Sequence, residues 1–213
     1  MAKQTILFIT GNQGKVDEIN FILKQYPELE EKYEIKNVDI NLPEIQSLDS
    51  TKVLEHKLIT AFNKINKKGG KYQLTKMKLD LTQTIPVMVE DTSLSFENFN
   101  DYSFPGPLIK FYLKSIGLNG ICNFHYGKKA MGTTMIGLYD GKIMSYFEGS
   151  IMGTVPNSPK GSNGFGWDKI FAPIDSVNND EHLTFAEMSA EQKQHFSMRS
   201  TCARKLAEHL LSH

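Results

Sequence analysis

The run Thr5 to Thr10, TILFIT, limits what this chain can fold into more than any other stretch. Ile6 to Ile9 is apolar without a break, the pattern of a strand buried on both faces in a helix-covered sheet. The run breaks into Thr10-Gly11-Asn12-Gln13-Gly14-Lys15, after which Val16, Ile19, Ile22, Leu23 and Tyr26 recur at helical spacing. Strand, glycine turn and helix in that order aim backbone N–H groups and a helix N-terminus at one spot, which suits an anion. Lys15 adds a point charge there. The spacing is not that of a Walker A loop. These residues alone leave both a phosphate site and a plain strand-to-helix turn open.

A second strand is expected over Val38 to Leu42, where apolar and polar residues alternate, ending at Pro43-Glu44. Asp49, Ser50 or Thr51 can cap a helix running to about Lys67, with Leu54, Leu58, Ala61, Phe62 and Ile65 on its apolar face. Lys57 lies at the margin of that face, either snorkelling or reaching into a cleft. From Lys64 to Lys78 there are six lysines and no acid around Gly69-Gly70, a solvated connection by composition. Ile85 to Val89 reads as a strand with Glu90-Asp91-Thr92 at its carboxyl end. Ionised carboxylates leave water only when paired or metal-bound. Ligands of open α/β sheets gather at strand ends, and Mg²⁺ favours carboxylate oxygens. Glu44, also after a strand, joins that candidate set.

Pro107 can open a helix whose buried face is Leu108, Phe111, Tyr112 and Ile116 and which Gly117 ends; Lys110 and Lys114 then face solvent. Ala130 to Tyr139, Asp140-Gly141 and Ile143 to Phe147 read as a hairpin with a two-residue turn. Ile170-Phe171 starts a short strand. Ser189 and Gln192 form a capping box. On a single helix to Leu211, Arg199 would share a stripe with Ala203, Leu206, Ala207 and Leu210, with Lys193 at its edge. An arginine on an apolar stripe must find oxygen acceptors.

Between Pro159 and Phe171, PKGSNGFGWDKIF, Phe165 and the only tryptophan, Trp167, stand among Gly161, Gly164 and Gly166, with Asp168 next. Rings in a bendable loop beside a carboxylate suit a flat, polar-edged ligand, and suit a packed turn as well.

Lys+Arg and Asp+Glu are both 24, so the net charge is zero, which disfavours a general nucleic-acid binder. Cys122 and Cys202 offer neither a disulfide framework nor metal spacing, in keeping with a reducing, cytoplasmic setting. Ile6 to Ile9 is too short for a signal core or a membrane span.

Six segments stand in register: Thr10-Gly11-Asn12 with Lys15, Leu42-Pro43-Glu44-Ile45-Gln46, Val89-Glu90-Asp91-Thr92-Ser93-Leu94, Pro105-Gly106-Pro107 with Lys110, Phe165-Gly166-Trp167-Asp168, and Thr184-Phe185-Ala186-Glu187-Met188. Together they resemble the inosine triphosphate pyrophosphatase family, from about Ile6 to Leu211. The resemblance implies a two-lobed α/β fold, with a long mixed β-sheet flanked by helices and a nucleotide-binding cleft between the lobes. It implies hydrolysis of ITP, dITP and XTP to monophosphate and pyrophosphate by a cytoplasmic homodimer, with Mg²⁺, or Mn²⁺ in its place. No nucleic acid or membrane partner is expected. It assigns the phosphates to Thr10, Gly11, Asn12, Gln13, Gly14 and Lys15, with Thr92 nearby and Lys57 and Lys110 as counter-charges. The metal goes to Glu44 and Asp91, and Asp91 is also the expected proton acceptor. The base goes to Phe165, with Gly166, Trp167 and Asp168 shaping its pocket and Lys193, Met198 and Arg199 at its edge. Two departures stand out. Ser197-Met198-Arg199 replaces the usual Ser-His-Arg, so one hydrogen-bonding contact to the base is lost or replaced. The segment from Lys67 to Thr84 is also longer than the family's. Two rival readings stand beside it: a nucleotide-binding regulator without catalysis, weakened by Glu44, Glu90 and Asp91, which repel phosphate unless a metal intervenes, and a single-stranded nucleic-acid binder using Phe165, Trp167 and the lysine-rich loop, weakened by the zero net charge.

Overall fold

The computed structural model describes residues 3–66, 83–174 and 182–212. The centre of the lysine-rich segment lies outside them. Among the described residues, seven strands form one mixed sheet in the order β2-β1-β3-β5-β6-β7, with β4 on the far part of β3. Strand β1 (Gln4–Ile9) runs parallel to both β2 (Tyr33–Val38) and β3 (Val87–Phe96). The partners β4 (Pro105–Gly106), β5 (Lys129–Tyr139), β6 (Met144–Thr154) and β7 (Ala172–Pro173) are antiparallel.

The apolar run of β1 is buried on both faces, as expected. Ile6 and Phe8 pack with helices α1 (Gln13–Leu23) and α6 (Met198–Leu211), whereas Leu7 and Ile9 pack with α3 (Ser50–Asn66) on the other face. A third apolar cluster joins the far part of β3 to α4 (Ile109–His125), Trp167, Phe171 and Phe185. The cleft opens between this cluster and the parallel part of the sheet.

Several boundaries differ from expectation. The second strand is Tyr33–Val38, preceded by the short α2 (Pro27–Lys32), rather than Val38 to Leu42. Val38 already pairs with Ile9, the last residue of β1, so Ile40 and Leu42 have no strand to extend; they pack partly buried against the α3 cluster instead. Helix α4 does not stop at Gly117. That residue takes a φ of 68°, kinks the helix and lets it continue to His125. The β5–β6 connection holds four residues rather than two, because Tyr139 pairs with Met144 and Asp140 Oδ1 accepts from the backbone of Lys142 and Ile143. Residues 168–170 form a 3₁₀ turn, and only Ala172–Pro173 joins the sheet. The C-terminal helix is two helices, α5 (Ala190–Phe196) and α6. Ser197 breaks them with an extended ψ of 148° and caps α6 by accepting from Ser200 N. The capping box of Ser189 and Gln192 forms on α5.

Candidate active site

Strand β3 organises the cleft. Glu90, Asp91 and Thr92 lie inside it, not at its end. Along one edge, β1 pairs with β3 only at Val87 and Met88, and β4 pairs only from Leu94. The intervening edge is open to the cleft, while β5 pairs the whole opposite edge. The free Glu90 carbonyl there accepts from Lys57 Nζ at 3.1 Å.

Side chains alternate along a strand, so the two acids face opposite layers. On the α3 side, Asp91 Oδ1 lies 2.9 Å from Lys57 Nζ, and Glu44 Oε1 lies 3.1 Å from the same nitrogen. Burial pushes the Asp91 carboxyl above its ordinary range, although Lys57 and Lys15 pull the other way. Burial also works against the Lys57 charge, but Asp91 and Glu44 outweigh it and raise its pKa. Lys57 therefore reaches the cleft instead of snorkelling.

On the other face, Glu90 meets Lys15 at 3.3 Å and Arg199 Nε at 3.2 Å, and Thr92 Oγ1 donates to its carboxylate. Burial alone would raise the Glu90 pKa. Arg199, Lys15 and the Thr92 hydroxyl reverse that and hold it down to about 2, from an ordinary 4.5. Arg199 Nη2 donates to Thr92 Oγ1 at 3.0 Å, and Nη1 pairs with Glu18 on α1. Lys193 Nζ bridges Glu18 at 2.8 Å and Asp168 at 2.7 Å.

The aromatic loop is fixed from below. Gly161 packs on the Ala186 carbonyl, so closely that a Cβ would stand 2.2 Å from it, and Ala186 O accepts from Ser162 and Asn163. Asp168 Oδ2 accepts from Phe165 N at 2.8 Å. The Phe165 ring rests on Gly14, where a Cβ would be 2.5 Å from it, and it has Lys193 and Arg199 at 5.2 and 5.3 Å from its centroid. Trp167 is only 6% exposed and packs edge-on to Phe171, so it mainly holds the loop in place, although it also borders the cleft.

The cleft measures about 960 Å³. Thr10, Gly11, Asn12 and Lys15 border it at the start of α1, where Asn12 caps the helix by accepting from Lys15 N. Glu44, Lys57, Asp91 and Thr92 form its floor, and Lys110 borders it from α4. Phe165, Gly166, Trp167, Asp168, Met198 and Arg199 close the far end. Gln13 is turned away toward Asp17, Gly14 supports Phe165, and Lys193 stands behind Asp168. Met198 is 2% exposed and lies in the third apolar cluster.

Three lining or supporting residues escaped the sequence reading. Glu18 carries both Lys193 and Arg199, yet on its helix it looks like any solvent-facing acid. Asp39 borders the cleft against Gly11, whose Cβ would lie 2.7 Å from Asp39 Oδ1. Phe111, expected in the core, is 51% exposed and lines the cleft beside Lys110. Its helical phase resembled a core position because α4 turns one face to the third cluster and an adjoining one to the cleft.

Among the described residues no group of three or more His, Cys, Asp or Glu is placed to hold a metal. Glu44 and Asp91 nevertheless converge on a single cation, the Lys57 ammonium. Two carboxylates completed by water and substrate oxygens are a usual protein share for Mg²⁺, so the donor set fits.

A mixed sheet with a glycine-turn helix start, paired carboxylates and a basic aromatic end defines a nucleotide-type cleft. Residues 6–209 match the Ham1 family, and the chain belongs to that family. Inosine triphosphate pyrophosphatase of Kluyveromyces lactis is 34% identical over 99% of this chain and 97% of its own length. Its Schizosaccharomyces pombe counterpart is 35% identical over 98% and 96%. The dITP/XTP pyrophosphatase of Methanopyrus kandleri is 34% identical over 95% and 94%. Among solved structures, a HAM1 protein from Coxiella burnetii shares the fold with a TM-score of 0.68 at 21% identity, covering 99% of this chain and all of that one. The Staphylococcus aureus Ham1 protein gives 0.61 at 20%, covering 98% and 99%.

Proposed function

We propose that this protein hydrolyses deaminated purine nucleoside triphosphates (ITP, dITP and XTP) to the monophosphate and pyrophosphate, removing them from the nucleotide pool. One observation carries the reading: a single strand segment, Glu90-Asp91-Thr92, presents Asp91 with Lys57 on one face and an Arg199-holding pair on the other, both within one cleft. The relatives named above supply the substrate class.

The triphosphate lies along the α1 start, where Thr10 to Asn12 and the helix N-terminus meet its oxygens and Lys15, Lys57 and Lys110 neutralise charge. A divalent cation, Mg²⁺ or Mn²⁺, would be held by Glu44 and Asp91 and would supply charge neutralisation and a more acidic water. Asp91 takes the proton of the attacking water. Oxygen bonds to the α-phosphorus, the bond to the α,β-bridging oxygen breaks, and pyrophosphate leaves. The base stacks on Phe165. Arg199 borders the cleft and donates to the 6-oxo edge, where the 6-amino group of ATP offers that donor no acceptor, at ~1–3 kcal/mol for an unpaired buried group; Lys193, expected at the same edge, stands behind Asp168 and holds that carboxylate and Glu18. The apolar Met198 leaves that discrimination to Arg199.

The test is pyrophosphate release from ITP, XTP, GTP and ATP, with and without Mg²⁺. Release from ITP and XTP only with metal is expected; tight ITP binding with no product would replace the enzyme by a nucleotide-binding regulator. Asp91→Asn is expected to abolish release while nucleotide binding persists, and normal turnover by it would remove Asp91 from the chemistry. No described helix is long and apolar enough to cross a membrane. A cytoplasmic homodimer is the assembly that goes with this reading, and sedimentation at twice the chain mass tests it.

A further inference from the structure

Lys57 Nζ has three oxygen neighbours: Asp91 Oδ1 at 2.9 Å, Glu44 Oε1 at 3.1 Å and the Glu90 carbonyl at 3.1 Å. An ammonium has three donors and no more, so this one is fully engaged. Its side chain is 9% exposed, and its backbone is fixed by the buried Leu54, Leu58 and Ala61 of α3. The head of a lysine can still swing on its four-carbon stem. The two carboxylates it bridges are those assigned above to the divalent cation. Mg²⁺ needs oxygens at ~2.0–2.1 Å, so it cannot take Glu44 Oε1 and Asp91 Oδ1 while the ammonium stays between them. Two cations a few ångströms apart in a half-buried cleft would also repel strongly. The α1 start borders the same cleft as Lys57, so a phosphate there would offer the ammonium new oxygen acceptors and free both carboxylates.

We propose that Lys57 is an internal counter-cation that keeps Glu44 and Asp91 closed to a divalent metal until the phosphates of a nucleotide draw its ammonium away, so that metal and nucleotide bind as one event. The proposal rests on the reading that Glu44 and Asp91 are the metal ligands. It gives Lys57 a second role: in the empty cleft it stands in for the metal, and in the filled cleft it becomes a phosphate contact. Linkage makes the effect reciprocal, so nucleotide should tighten metal binding by the factor by which metal tightens nucleotide.

The experiment reads bound Mn²⁺ by electron paramagnetic resonance in four proteins: the unaltered chain, Lys57→Met, Glu44→Gln and the double variant. Without nucleotide, the unaltered chain should bind Mn²⁺ weakly, and Lys57→Met should bind it about tenfold tighter or more, within the usual span of site coupling. Glu44→Gln should erase that gain in the double variant. In the protein that keeps Lys57, Glu44→Gln should leave the weak nucleotide-free binding unchanged, since the ammonium already holds the Glu44 carboxylate away from the metal. With the uncleavable α,β-methylene analogue of ITP added, Glu44→Gln should weaken Mn²⁺ uptake. No gain in Lys57→Met, or weakened nucleotide-free binding by Glu44→Gln alone, overturns the proposal while leaving the ligand assignment intact. No effect of Glu44→Gln even with the analogue overturns both. If Lys57→Met does not fold, Glu44→Gln alone still decides: an effect only with nucleotide supports the exchange, and an effect in both states refutes it.

Discussion

Arg199 is the second residue of α6, where unpaired backbone N–H groups already carry partial positive charge. A guanidinium that is 2% exposed is out of place there unless acids answer it, and Glu18 and Glu90 do so. Arg199→Ala should therefore lower kcat/KM for ITP far more than any residual ATP turnover. Equal losses on both would make the arginine structural. Glu90 carries a pH signature. Its folded pKa of about 2 lies below the ordinary 4.5, so the unfolded chain holds more protons between those values. The stability it contributes is complete above about pH 4.5 and drains away as pH falls toward about 2. Urea midpoints on descending through that window should fall more steeply for the unaltered chain than for Glu90→Gln. Phe165→Ala should raise KM for every purine triphosphate alike, since stacking does not read base edges; a loss confined to ITP would contradict that.

Helix α6 brings its first turn against β6 so closely that a Cβ on Gly149 would lie 2.2 Å from the Met198 carbonyl. Ser197, with no exposed surface, caps that turn. Ser197→Ala should cost about 1 kcal/mol in denaturant unfolding, and, because Arg199 is two residues on, it should also lower kcat/KM for ITP. The stability loss without the kinetic one would mean that Arg199 is held by its acids alone. The elements that sequence made legible are those whose cause is local. These include the β1 run, the Asn12 turn, the Ser189 capping box and the α3 face with Lys57 at its margin. What stayed hidden depended on partners distant in the chain. Ile40 and Leu42 alternate as a strand does, but β1 ends at Ile9 and leaves them nothing to pair with. The acids of β3 looked terminal because the apolar run ends at Val89 and nothing local announces that β5 pairs with β3 all the way to Phe96. Glu18 gave no sign because its two cations lie about 180 residues away in the chain.

Across the whole molecule, the cleft is bordered by the α1 start and β3 on one side and by α4 and the aromatic loop on the other. A ligand touching both sides should stiffen the ensemble and stabilise it by mass action. At one hundred times its Kd, an uncleavable ITP analogue with Mg²⁺ should add about 2.7 kcal/mol, or roughly 5–10 °C in Tm for a chain of this size. An unchanged Tm at saturation would mean that the nucleotide does not bind the folded state. The alternation along β3 has a consequence for how such a protein can change over time. In the proposed reading base choice hangs on the Arg199 that Glu90 and Thr92 hold, bond cleavage on Asp91, and one residue step of ~3.3 Å separates them. Drift by substitution can retune either property alone, because its side chains project into a different layer. Loss or gain of a single residue earlier in the strand would turn each acid to the wrong layer, so this segment tolerates substitution where it does not tolerate a change of length.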